Sequence, residues 1–203
     1  MKKFVIYTGV FGKPCRSRIP SISSQDYDAF CYTDIEIEND FYKVKPFHKS
    51  DLDPVRRNRF VKIMIPDELF DNYEYSLYID YKHPMGVDFN WLMKCLGNKY
   101  DFLVSKHPKR NCIYEESDVC LAKGKGDRIE ILNQLEFYRS KGYPKNNGLY
   151  ANYWIFRRHT IQLKEIMTIW WKHVLNYSHR DQLSLPYVLW ATNYKISQYK
   201  RRK

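Results

Sequence analysis

Two hydrophobic periods alternate along the chain. Short runs rich in β-branched and aromatic residues, each bounded by polar or turn residues, lie at 3–8, 29–33, 41–45, 75–79, 101–105 and 153–157 and predict strands. Between them are stretches of helical spacing with recognisable ends. Asp53 is a good N-cap, and Pro54 suits the first turn of a helix running to about Ile65. Asp88 caps a second helix that Gly97 ends. Asp127 opens a third, which sets Ile129, Leu132, Leu135 and Phe137 on or near one face and stops at Gly142 and Pro144. The last third is more helical: 160–177 spaces Ile161, Leu163, Ile166, Ile169, Trp170, Val174 and Leu175 as a core stripe, and another helix follows Ser178 over 181–194. This alternation predicts an α/β domain with a mostly parallel central sheet flanked by helices, whose ligands sit beyond the carboxyl ends of the strands.

The 203 residues suffice for one domain with a real core. We expect it to occupy 1–194, with 195–203, which includes Lys195, Lys200, Arg201, Arg202 and Lys203, as a basic tail or the start of a linker within a longer multi-domain chain. No apolar stretch approaches the roughly 20 residues a bilayer span needs, so no transmembrane segment is expected. Five cysteines without a close pair support neither a disulfide framework nor a thiolate zinc site, and point to a reducing, cytoplasmic location. Lys and Arg number 34 against 23 Asp and Glu, and the resulting charge of +11 suits anionic partners: nucleic acid, phosphorylated small molecules or an anionic membrane face. One alternative reading is therefore a non-catalytic, basic nucleic-acid-binding domain, with Arg and aromatic residues interleaved over 153–159. Against it, the aromatics fall mostly at core spacings and no recognised nucleic-acid motif is present.

Candidate chemistry gathers at strand ends. The first strand closes on Thr8 and Gly9, and the next loop carries Gly12; this pair serves either a tight turn or the close approach of backbone to a ligand. The spacing before Lys13 is too short for a phosphate-cradling loop, and no Ser or Thr follows it. Arg56, Arg59 and Lys62 recur every third residue on one helix, so they either face water or meet an anion such as a diphosphate. The strand 75–79 ends in Asp80, a carboxylate that is costly to bury unless a metal or another cation stands there. Glu115 and Glu116 read as the acids of a helix first turn. Asp181 reads as an N-cap, as a site residue, or as both.

Taken together, these residues resemble a known family. The series of Arg59, Lys62, Pro66, Leu69, Tyr78-Ile79-Asp80, His107-Pro108, Arg110 to Glu116, Tyr138, Gly142, Gly148-Leu149, Arg158-His159, Trp170-Trp171 and Arg180 to Ser184 is similar, in order and spacing, to a glycosyltransferase-like family. That family includes plant proteins of mucilage and turgor control with bacterial and viral relatives. The resemblance covers about 4–190 and is closest to GT-A-type glycosyltransferase domains encoded by chlorella viruses.

The resemblance implies a single GT-A-like (Rossmann-like) domain that moves a hexose or deoxyhexose, glucose or rhamnose first, from a UDP-sugar to a hydroxyl of a glycan or glycoprotein. It implies Mn²⁺ or Mg²⁺ as cofactor, no nucleic-acid partner, and a cytoplasmic location, the host's if the protein is viral. Thr8 and Gly9 would hold the uracil and ribose, Arg59 and Lys62 the pyrophosphate, and Tyr81 and His107 would complete the nucleotide-sugar site with Asp80, which would also hold the metal. The run Asp80-Tyr81-Lys82 lacks the second acid of an Asp-x-Asp motif. A metal would thus need His83, His107 or His159, or phosphate oxygens and water; alternatively Lys82 supplies the charge. Asp181 is implied as the general base of an inverting reaction, or as a hydrogen-bond acceptor for the donor sugar in a retaining one.

Overall fold

The computed structural model describes residues 2–16, 18–23, 26–49, 51–83 and 85–199, with the side chain of residue 2 left aside. In chain order the elements are β1 (Lys2–Val10), β2 (Ser21–Ile22), β3 (Tyr27–Thr33), β4 (Lys43–Pro46), α1 (Pro54–Met64), α2 (Asp67–Asn72), β5 (Tyr73–Ile79), β6 (Gly86–Val87), α3 (Phe89–Leu96), β7 (Phe102–Lys106), α4 (Ile113–Ala122), α5 (Arg128–Ser140), β8 (Tyr150–Arg158), α6 (Ile161–Asn176), α7 (Asp181–Ala191) and β9 (Ser197–Tyr199). The central sheet runs β4-β3-β1-β5-β8-β7-β9, and β2 pairs with β6 beside it. Every neighbouring pair in the central sheet is parallel except those made by β8, which runs against both β5 and β7. The expected α/β domain with a mostly parallel sheet is what forms.

Alternation along β1 shows how the sheet is buried on two faces. Val5 and Tyr7 point into a core shared with α1, α4, α5, α6 and α7, whereas Phe4 and Ile6 point into a second core that includes Phe89, Leu92 and Leu96 of α3. The helix ends follow their caps. The Asp53 carboxylate accepts from the amides of Val55 and Arg56, that of Asp88 from Asn90 and Trp91, and that of Asp127 from Glu130. On α5 the face differs from expectation: Ile129 and Leu132 are exposed, and the buried positions are Ile131, Gln134, Leu135 and Tyr138. On α6 the stripe is core except at its two ends, where Ile161 and Leu175 are exposed.

β9 takes Ser197–Tyr199, within the stretch read as tail, into the sheet alongside β7; residues 200–203 lie outside the described residues. Because β8 is reversed, its beginning lies beside the carboxyl ends of β5 and β7. Ile79 pairs with Trp154, and the Asp80 amide donates to the Tyr153 carbonyl at 2.8 Å. One edge of the sheet therefore collects the end of β1, the end of β5, the start of β8 and the first turns of α1 and α7.

Candidate functional site

Two cavities open at this edge and share Arg59 and Asp80 in their walls. The larger, about 640 Å³, lies between the loop after β1 (Gly9, Phe11, Cys15) and the start of α1 (Pro54, Val55, Asn58), with Tyr81 and Lys82 beside Asp80. The smaller, about 210 Å³, is lined by charged and amide side chains: Lys62, Arg180, Asp181, Gln182 and Asn152, with Tyr153. Three cations against two carboxylates make the small cavity a place for an anion.

The loop after β1 is held tightly against α1. Gly12 has φ 77°, and a Cβ there would fall 2.8 Å from Pro54, so both conformation and space call for glycine. A Cβ on Gly9 would fall 2.9 Å from the Phe11 ring. The Asn58 amide donates to the Gly9 carbonyl at 2.7 Å, and its oxygen accepts from Arg59 at 2.7 Å. Asn58 thus ties the loop to the first basic residue of the site. Thr8 is fully buried in β1 and does not line either cavity.

The row of cations on α1 meets acids of its own chain, contrary to the expectation of water or a bound anion alone. Arg56 reaches Asp53 and Glu130, at 3.0 and 2.7 Å, and bonds the Tyr177 carbonyl. Lys62 is 2% exposed, and its Nζ stands 3.0 Å from Asp181 Oδ2, 3.4 Å from Asp80 Oδ1 and over the Tyr78 ring. Arg59 Nε lies 3.4 Å from Asp181 Oδ1 and donates to the His179 carbonyl. Burial alone would raise the pKa of Asp181; Lys62, then Arg59 and Arg180, outweigh it and hold the carboxyl well below the usual carboxylate range. Asp181 is the first residue of α7, and Arg180 occupies the N-cap position with no side-chain cap bond. The carboxylate is therefore engaged with cations and not with capping.

Lys62 is fixed from behind. Arg157 of β8, fully buried, donates to the carbonyls of Lys62 and Ile63 at 2.8 and 2.9 Å and bonds the Tyr7 hydroxyl, which itself donates to the Lys62 carbonyl. These carbonyls are among the last of α1, which ends at Ile65 with φ 54°. A buried guanidinium thus caps the helix and sets where the Lys62 side chain begins. Trp154, Phe156 and Arg157 are all buried, so these members of the Arg and aromatic run over 153–159 are core and do not offer a base-stacking surface.

Asp80 also accepts from the Tyr78 hydroxyl at 2.9 Å on the oxygen that faces Lys62. His83 closes the turn after it, its amide donating to the Asp80 carbonyl at 2.7 Å and its ring packed on Tyr153. His107 lies elsewhere: its Nδ1 accepts from the Arg110 amide, and its Nε2 is 4.0 Å from Glu116, itself bound to Arg110 at 2.6 Å. His159 sits at the opposite end of the sheet, its Nδ1 against the carbonyls of Tyr73 and Phe70. Among the described residues no group of three or more His, Cys, Asp or Glu could hold a metal ion. The two carboxylates of the cavity walls, Asp80 and Asp181, already face Lys62 and Arg59, so the donor set does not fit a protein-held divalent ion.

The structure thus brings Gly9, Arg59, Lys62, Asp80, Tyr81 and Asp181 to one edge and leaves Thr8 and His107 out of the cavity walls. Sequence reasoning missed Asn58 and Asn152. The only signal for Asn152 was a lone amide inside an otherwise apolar strand run.

The chain is similar to known proteins. The profile of the "TOD1/MUCI70, glycosyltransferase-like domain" matches residues 40–201. The chain is 28% identical over 173 residues to a protein of Arabidopsis thaliana described as "Probable hexosyltransferase MUCI70", an alignment that takes in 78% of this chain and 30% of that protein. The chain therefore spans less than a third of that relative's length.

Proposed function

The chain belongs to the TOD1/MUCI70 glycosyltransferase-like family, and from that premise we propose that it transfers a hexose from a UDP-sugar to a glycan hydroxyl. The observation that carries this reading is the pair of joined cavities: a larger one edged by a glycine loop and apolar side chains, suited to a nucleoside, leading past Arg59 to a small polar one with a net cationic wall. A nucleoside diphosphate sugar has that order of parts. The relative's description as a hexosyltransferase supports the choice of a hexose.

In this reading the bond from the anomeric carbon to the diphosphate breaks as the acceptor oxygen bonds to that carbon, and negative charge grows on the departing phosphate. Arg59 and Lys62 meet that charge in a buried setting, where fixed cations act most strongly. Asp181 keeps both in place and remains ionised. Its two carboxylate oxygens already face Lys62 and Arg59, so its part in this reading is to position those cations and accept from a sugar hydroxyl. No step is assigned to a metal, because the described residues do not build a site for one.

Calorimetry with UDP and UDP-hexoses, followed by UDP release in the presence of glycan acceptors, tests the reading. Binding of UDP and release of UDP from at least one UDP-hexose are expected. Failure to bind any nucleoside diphosphate at millimolar concentration overturns it.

A further inference from the structure

Asn152 is 2% exposed, lines the small cavity, and has no hydrogen-bond partner on either Oδ1 or Nδ2. Buried amides are almost always satisfied, and an orphaned donor and acceptor together are costly to keep. The backbone shows how the side chain comes to be there. Along β7 the partner of Val104 is Ile155 and that of Ser105 is Ala151, so β8 carries an irregularity that includes Asn152. Bulges of this kind re-aim a side chain, commonly beside a site. The neighbouring Gln182 is occupied, accepting from Arg180 at 3.2 Å and donating to the Tyr150 carbonyl at 3.0 Å, so the free amide in this wall is that of Asn152.

We infer that Asn152 selects the donor sugar, its carboxamide accepting from one hydroxyl of the transferred hexose and donating to the next. A carboxamide offers one donor and one acceptor side by side, which matches a vicinal diol, and a diphosphate offers acceptors only. The phosphate-facing cations Arg59 and Lys62 border the same cavity, so the group seated against Asn152 is the one attached to the diphosphate. This inference rests on the UDP-sugar reading above and adds to it the residue that distinguishes one sugar from another. A site built to bond a hydroxyl rejects analogues that lack or misplace it far better than an apolar pocket does.

The test uses Asn152→Leu and Asn152→Ala, with affinities for UDP and a panel of UDP-hexose epimers measured by calorimetry alongside melting temperature. In the wild type at least one UDP-hexose should bind more tightly than UDP. Both variants should bind UDP within about twofold of wild type and lose that advantage by about tenfold or more, because the paired hydroxyls lose their partners. Asn152→Leu should also melt no lower than wild type, since it removes two unsatisfied buried groups at similar volume. A fall in melting temperature with an unchanged preference among sugars would make Asn152 a structural residue and overturn the inference. Normal UDP binding with no sugar preference in the wild type would overturn it while leaving the nucleotide reading intact. Absence of any nucleoside diphosphate binding would remove both.

Discussion

Arg157 Nη2 donates to the carbonyl of Lys62 at 2.8 Å, across 95 positions of the chain. Arg157, for which no acid partner stands among the described residues, stabilises two backbone carbonyls and, through them, the residue that faces the site. Arg157→Met should leave the Ile63 carbonyl buried and unbonded and the Lys62 carbonyl with the Tyr7 hydroxyl alone, and should cost about 1–3 kcal/mol. Arg157→Lys keeps the charge and fewer donors, and should lose less. Urea denaturation measures both; a midpoint unchanged in Arg157→Met would show that the carbonyls find other partners.

Lys62 and Asp181 should be coupled. Removing either partner of a buried ion pair typically costs about 3–5 kcal/mol because the other charge is stranded, and removing both costs less than the sum. Lys62→Met, Asp181→Asn and the double variant form the cycle, and additive losses would deny the pairing. Lys62→Met should weaken UDP by about tenfold or more and uridine little, since the charge acts on phosphate. Asp181→Asn should lower the melting temperature and raise the donor KM. A fall in turnover of about a hundredfold or more with melting and KM unmoved would instead mark a general base.

His159 makes stability depend on pH. Burial, then the charge of Arg157, lowers its pKa to about 4, its ring is stacked on Phe70, and its Nε2 has no partner. The folded pKa lies below the unfolded value of about 6.5, so the unfolded chain binds more protons between the two. Its contribution is therefore full above pH 6.5 and is lost as pH falls towards 4, up to about 3 kcal/mol at 1.36 kcal/mol per pH unit. Denaturation of wild type and His159→Gln at several pH values should show that slope in the wild type only. Equal slopes would place the acid sensitivity elsewhere.

Metal dependence is the next measurement. With Lys62 already on Asp80, chelation should change UDP affinity by less than about twofold, because no protein-held ion contributes to binding. A gain of about tenfold on adding Mn²⁺, lost in Asp80→Asn, would show that phosphate oxygens and Asp80 suffice to hold one.

Much of the fold could be read from local pattern. All six strands expected from β-branched and aromatic runs form, and Asp53, Asp88 and Asp127 each cap a helix as expected. The elements missed are those too short to show a period: β2 and β6 have two residues each, β9 three, and α2 six with no side-chain cap. On α5 the buried stripe includes Gln134, bonded to Tyr138 at 2.9 Å, so apolar periodicity is right for Leu135 and Phe137 and misplaces Ile129 and Leu132, which are exposed. At the site, charge at strand tips and along α1 drew attention to Asp80, Arg59 and Lys62. That Lys62 would find its acid in α7, and that a reversed β8 would deliver both Arg157 and Asn152, depends on long-range topology that no local window contains.

The three residues of β9 also decide how the molecule ends laterally. β7 would otherwise present a row of unpaired amides and carbonyls, the surface through which sheets of separate molecules join. Ser197, bonded to the Cys95 carbonyl at 2.6 Å, and Tyr199, set edge-on to Trp91, fasten that short strand over it. A version cut before Ile196 should therefore self-associate through β7 even with the cavity edge intact.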